Sequence, residues 1–331
     1  MTHSEINRQI GNYRLMSELA SGTFGSVYLA QHTLLIKRTV AIKLLHATHL
    51  GSLAERERFV QEAQYLEQLK HPYILPILDV SIDNGTPYLV AEYAPNGSLR
   101  HRLKRYSPGP LPLQEAFTII IQVGQALQYA HQQHIIHRDI KPENILFNAR
   151  NEALLADFGL ATTLTTASLK HMDDSGTPCY MAPEQFQGNI SKESDQYALA
   201  CVAYELVTGR PPFTAQNLYA LAFKHLAEHP IPPTQFNPSL PTSVERAILT
   251  AMSKQRTDRY RDISDFIKVF LQFTPSPQQD MLTSSQINTP TLLIGDHRDT
   301  LPGPLSRELT HPQMGNNTTN SYPLSQKITD Q

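Results

Sequence analysis

The chain has 331 residues, 40% hydrophobic and 18% charged, enough for one large core or two smaller ones and ordinary for a soluble globular protein. A net charge of −2 with a pI near 6.7 gives no overall field to draw nucleic acid or an anionic membrane. Only two cysteines, Cys179 and Cys201, with no CxxC pair, exclude a disulfide framework and point to a reducing, cytoplasmic compartment.

Residues 1–10 lack the apolar run of a secretory leader and read as part of an N-terminal extension, 1–12. Strand signals follow at Tyr13–Leu15, Ser26–Gln31 and Thr39–Leu45. Between the first two lies Leu19-Ala20-Ser21-Gly22-Thr23-Phe24-Gly25-Ser26-Val27, whose glycines let backbone N–H groups approach phosphate oxygens. A plain hairpin turn accounts for those glycines equally well. No Gly-Lys-Ser/Thr follows, so it is not a Walker A loop, and a strand rather than a helix comes next, so it is not a dinucleotide fingerprint. Lys43 lies inside the apolar Val40-Ala41-Ile42-Lys43 strand, where an ammonium is costly without a partner. Residues 53–70 change to helical spacing, with Phe59, Ala63, Leu66 and Leu69 on one face and Glu62 beside it as the candidate partner. Strands at Ile74–Val80 and Tyr88–Tyr93, parted by an Asp83-Asn84-Gly85 turn, complete a small sheet carrying one helix.

Past Pro95-Asn96-Gly97 the pattern is mainly helical. Phe117, Ile120, Ile121, Gly124 and Leu127 share one helix face, and further helices are predicted near 195–208, 215–228, 243–253 and 262–272. Tyr197 to Val207, interrupted by Glu205, falls short of the about 20 residues needed to span a bilayer and reads as a helix buried on all sides. From about Thr274 the apolar periodicity disappears into Ser, Thr, Pro, Gln and Asn, so 273–331 is expected to be a disordered tail.

Between those helices His137-Arg138-Asp139 is followed by Lys141 and Asn144, then by Asp157-Phe158-Gly159. A carboxylate to take a hydroxyl proton, an ammonium for a phosphate and two oxygen donors for a hard cation are what phosphoryl transfer requires. Either tripeptide alone says little; their order and spacing make a plain polar loop a poor explanation.

With Ala182-Pro183-Glu184 added, these motifs occur in the order of the protein-kinase signature, and residues 13 to 272 resemble a Hanks-type serine/threonine kinase, most closely the bacterial branch. The resemblance implies an α+β, two-lobed fold: a small antiparallel sheet with one helix over 13–93 and a mainly helical lobe over 94–272. It implies ATP with magnesium, or manganese in its place, and serine or threonine hydroxyls of proteins as acceptors. It assigns Asp139 as proton acceptor, Lys141 to the γ-phosphate, Asn144 and Asp157 to the metal, and Lys43 with Glu62 to the α- and β-phosphates. Val27, Ala41 and Leu146 would hold adenine, with backbone groups of Glu92 and Ala94 at its edge. Thr177 would line the acceptor site, while Asp195 and an Arg259–Glu184 pair would support the catalytic loop and the segment after it.

Two departures stand out. Ala20 replaces the first loop glycine, which matters if that position needs a positive φ. Ala91, before Glu92, offers only a methyl group beside the adenine pocket. Arg138 would receive a phosphate from Thr162, Thr163, Thr165, Thr166 or Ser168, which a transient homodimer would add by autophosphorylation. The alternative is a kinase-fold scaffold without catalysis, but such proteins generally lose Lys43, Asp139, Asn144 or Asp157, and all four are present.

Overall fold

A computed structural model describes residues 5–22, 25–46, 53–158 and 178–274, the side chains of 53–56, 58 and 62 excepted. Residues Met1–Ser276 form one compact unit. Of the tail expected to be disordered over 273–331, residues 275–331 lie outside the described residues, while Phe273 still packs against the core.

The first half builds a six-stranded antiparallel sheet. Its strands are β1 (Gln9–Ile10), β2 (Tyr13–Gly22), β3 (Gly25–His32), β4 (Thr39–Leu45), β5 (Ile77–Asp83) and β6 (Thr86–Glu92), in the spatial order β1-β2-β3-β4-β6-β5. The sheet therefore begins before Tyr13, because the two residues of β1 pair with Arg14 and Tyr13. Alternation gives it two faces. Tyr28, Ala30, Val40, Ile42 and Leu44 join Ile10, Tyr13, Leu15, Tyr88 and Val90 in one buried cluster. The opposite face carries Val27, Leu29, Ala41 and Lys43, all half-buried. Helix α1 (Leu53–Glu67) buries Phe59, Ala63 and Leu66 in the second, larger cluster, with Leu69 just beyond its end.

That cluster continues through the helical half. Its elements are α2 (Leu99–Tyr106), α3 (Leu113–Gln132), the short hairpin β7 (Ile145–Phe147) and β8 (Ala153–Leu155), α4 (Lys192–Thr208), α5 (Leu218–Ala227), α6 (Thr242–Ala251) and α7 (Ile263–Leu271). Every residue of α4 from Ser194 to Thr208 is buried, as the apolar run Tyr197 to Val207, interrupted by Glu205, predicts. Helix α3 meets α7 so closely that a β-carbon on Gly124 would stand 2.4 Å from Ile267 Cγ2. Glycine there is what lets the two helices touch.

The halves are joined by backbone. Leu75 N–H donates to Leu155 at 2.9 Å, Asn96 N–H to Phe147 at 3.1 Å, and Phe147 N–H returns to Gly97 at 2.9 Å. These bonds bring the segment after β6 beside β7, where Ser98 bridges to Leu146.

Candidate active site

Asp139 has its carboxylate held on one side. Lys141 Nζ lies 2.7 Å from Oδ2, and Asn144 Nδ2 donates to the same oxygen at 3.0 Å and to the Asp139 carbonyl at 2.8 Å. The side chain is 47% exposed, and no described residue bonds the other oxygen, Oδ1. Asn144 is buried and spends both bonds through its NH2 group, which leaves its amide oxygen as a ligand. The turn 142–144 forms because Pro142 opens it and Asn144 N–H closes on Lys141.

The backbone under this loop is strained and held. Arg138 has φ 74°, a conformation costly for an L residue. The Asp195 carboxylate, buried at the start of α4, accepts from the N–H groups of His137 and Arg138, each at 2.8 Å, and from His131 Nε2 at 2.8 Å. Gln185 Nε2 donates to the Arg138 carbonyl at 3.0 Å. His137, fully buried, bonds the Ala156 carbonyl through Nε2 at 2.8 Å and packs its ring on Phe158. Ala156 N–H in turn donates to the Asn144 carbonyl at 2.9 Å, tying the two motif segments together.

Asp157 also has positive φ, 62°, and its Oδ1 meets Lys43 Nζ at 2.9 Å across 114 residues of sequence. Burial pushes its carboxyl up, but the charge and hydrogen bond of Lys43, aided by His137 and Lys141, win and leave it below the usual aspartate range. Lys43 sits directly across from Val27 in the strand register, and Ala41 across from Ala91. Val27, Ala41 and Lys43 thus share the sheet face opposite the Tyr28–Ile42 cluster. The partner predicted for Lys43, the Glu62 side chain, lies outside the described residues, as do Thr23, Phe24, Gly159, Thr177 and the candidate phosphosites Thr162, Thr163, Thr165, Thr166 and Ser168. Leu19 to Gly22 and Gly25 to Val27 form the β2–β3 hairpin that flanks the undescribed tip.

The donor set fits a hard divalent cation with a polyphosphate. Asn144 and Asp157 present oxygen only, and two protein ligands are what magnesium takes when waters and phosphates complete its shell.

Two networks support the site. Arg259 donates fork-to-fork to Glu184 at 2.8 and 2.9 Å, both buried, as the sequence leads one to expect, and Ser194 adds a third bond at 2.8 Å. The second was not anticipated. Arg100 on α2 donates to Glu143 and Glu205, each at 2.7 Å, and to the Tyr180 hydroxyl, which itself donates to Glu205 at 2.5 Å. It links α2, the catalytic loop, the segment after residue 178 and α4. Burial, then the Glu205 charge, pushes the Tyr180 hydroxyl far above its ordinary value, so it stays a donor. The one sequence signal was Glu205 interrupting an apolar helix, since a buried carboxylate demands a cation.

Comparison with known proteins follows the same lines. The family model described as protein kinase domain matches residues 13–284. The chain belongs to the protein kinase family. It is 37% identical over 257 residues to serine/threonine-protein kinase PrkC of Bacillus subtilis, covering 77% of this chain and 39% of PrkC. It is 35% identical over 305 residues to serine/threonine-protein kinase PknH of Mycobacterium tuberculosis, covering 91% of this chain and 47% of PknH. The crystal structure of the M. tuberculosis PknI kinase domain superposes with a TM-score of 0.65 at 27% identity, covering 80% of this chain and 97% of that one. The two-lobed kinase fold expected from the motifs is thereby established. This chain spans about two-fifths to half the length of the curated relatives it matches. The family uses ATP and a divalent metal and acts on proteins. No described helix is long and apolar enough to cross a membrane.

Proposed function

We propose that this protein transfers the γ-phosphoryl group of ATP to serine and threonine hydroxyls of proteins, itself included, in the reducing environment of the cytoplasm. The observation that carries the reading is Asp139, with Oδ2 fixed by Lys141 and Asn144 and Oδ1 without a partner among the described residues. Bound magnesium–ATP supplies the phosphoryl group and the positive charge that offsets its oxygens. Asp139 orients the acceptor hydroxyl and takes its proton. Lys141 neutralises charge gathering on the transferred group, and Lys43 holds the inner phosphates. Asn144 and Asp157 hold the metal, with manganese a workable substitute for magnesium. Val27, Ala41 and Leu146 enclose the adenine ring, and the backbone of Glu92 and Ala94 reads its edge. Positioning and charge stabilisation account for the rate, each well-placed donor contributing several kcal/mol in a dry site.

Two features favour serine and threonine over tyrosine: Lys141 in the catalytic loop, and Thr177, which we assign to the acceptor pocket. The named serine/threonine kinases among the relatives support the same choice. We assign residues 13–272 to the kinase domain and 273–331 to a tail, and place autophosphorylation, through a transient homodimer, among Thr162, Thr163, Thr165, Thr166 and Ser168.

Transfer of labelled phosphate to the chain and to a generic protein tests the reading. Asp139→Asn is expected to lower transfer by about 10^2-fold or more while leaving the melting temperature unchanged. Equal labelling by both proteins would defeat the mechanism.

A further inference from the structure

Helix α2 reads Leu-Arg-His-Arg-Leu-Lys-Arg-Tyr, and its cations divide into two groups. Arg100 and Arg102 are spent inside the molecule. Arg100 bonds Glu143, Glu205 and Tyr180, while Arg102 bonds Glu115 and lies over the Phe147 ring. His101, Lys104 and Arg105 are exposed, and their i, i+3, i+4 spacing puts them on one face of the helix. Neither Lys104 nor Arg105 has an ion-pair partner among the described residues. The helix dipole favours cations in a last turn, but it uses none of their hydrogen-bond donors.

This face stands beside the catalytic loop. Ser98, the cap of α2, bridges to Leu146, and Arg100 Nε bonds Glu143, four residues past Asp139. Lys104 follows one helical turn after Arg100, about 6 Å along the axis. Arg100 also changes what the loop offers to an acceptor. Glu143 is 47% exposed, and together with the buried Glu205 it would make a doubly negative seat for a cationic side chain. The Arg100 guanidinium already fills that seat, with a 2.7 Å bond to each carboxylate. One cation against two carboxylates leaves a charge of −1, and Lys104 with Arg105 turns the α2 side to +1. A basic acceptor therefore finds its seat taken and two like charges in its path. An acidic one finds two cations with free donors.

We propose that the Lys104–Arg105 face of α2 selects acidic stretches of protein acceptors, so that the preferred substrate is a serine or threonine with aspartate or glutamate nearby. The inference rests on the reading of this chain as a kinase for protein hydroxyls. The chain carries an acceptor of that chemistry itself, since Asp173-Asp174 follows the candidate phosphosites Thr165, Thr166 and Ser168 by five to eight residues.

Three synthetic peptides spanning residues 161–177 test it: the natural sequence, one with Asp173→Asn/Asp174→Asn, and one with Asp173→Lys/Asp174→Lys. Each is offered to the full chain for initial rates of phosphate transfer and, without ATP, for binding by fluorescence anisotropy. The natural peptide is expected to show kcat/KM about three- to tenfold above the asparagine version, with the lysine version lower still. The difference should lie in KM and shrink in high salt. Lys104→Gln/Arg105→Gln should level the three peptides, and Lys104→Glu/Arg105→Glu should reverse their order, both without a change in melting temperature. Equal kcat/KM and equal affinity for the three peptides in the wild type would overturn the proposal. So would an order that survives in both variants, or variants whose only loss is binding to phosphatidylglycerol vesicles, because the face would then serve a membrane. Failure of every peptide to take up phosphate would sink the kinase reading instead, and the order of affinities would still decide for or against α2.

Discussion

At Gly25 a β-carbon would stand 2.1 Å from the Leu44 carbonyl oxygen, a backbone atom that cannot swing aside. The close approach of β3 to β4, not a need for positive φ, therefore fixes this glycine of the phosphate-loop motif. Gly25→Ala should displace the β2–β3 hairpin, cost about 1–3 kcal/mol of stability and raise KM for ATP more than it lowers kcat. Ala20 is the opposite case. It pairs with Val27 beside a bulge in the strand register and is not among the residues with positive φ, so alanine costs nothing there. Ala20→Gly should leave KM for ATP unchanged; a gain of about tenfold, or 1.4 kcal/mol, would show that the loop does want glycine at that position.

Among elements, the turn at 183–187 is anchored on the α4 end and the 256–259 turn by the Glu184–Arg259 pair. Burial pushes the Glu184 carboxyl up, but the bonds and charge of Arg259, with help from Ser194, pull it below the ordinary 4.5. A depressed folded-state value gives stability that is complete above 4.5 and is lost as pH falls through the lower folded value. Glu184→Gln leaves a buried, uncompensated guanidinium and should cost about 3–5 kcal/mol at neutral pH. Urea midpoints should fall less steeply with acidification below 4.5 in this variant than in the wild type. An unchanged slope would mean that the pair carries no acid sensitivity. This pair was legible in the sequence through the family motif, and helices such as α3 and α4 through their apolar spacing. Helix α2 was not, since only Leu99 and Leu103 of its eight residues are buried. Nor were β1 and the three-residue strands β7 and β8, too short to show alternation. The Arg100 network joins residues 43, 80 and 105 positions apart, a proximity that only the fold creates.

For the whole molecule, the decisive question is where the folding unit ends. Helix α7 packs into α3 at Gly124, and Phe273, just past it, lies 6.0 Å from Phe117, itself 1% exposed on α3. The chain is therefore still burying core at residue 273, and the compact unit closes at Ser276. A chain ending at 276 should keep its melting temperature and its phosphate transfer to a generic protein. A chain ending at 261 removes α7, strips Phe117 of Phe270 and Phe273, and opens the α3 face over which Ile263 and Ile267 lie. Losing the two buried phenylalanines of α7, Phe266 and Phe270, costs about 3–5 kcal/mol for each one, as much as the whole net stability of many domains. That chain should fail to give a cooperative thermal transition. If the chain ending at 276 instead melts several degrees lower, the tail contributes to the fold, and the assignment of 273–331 as an independent segment is wrong.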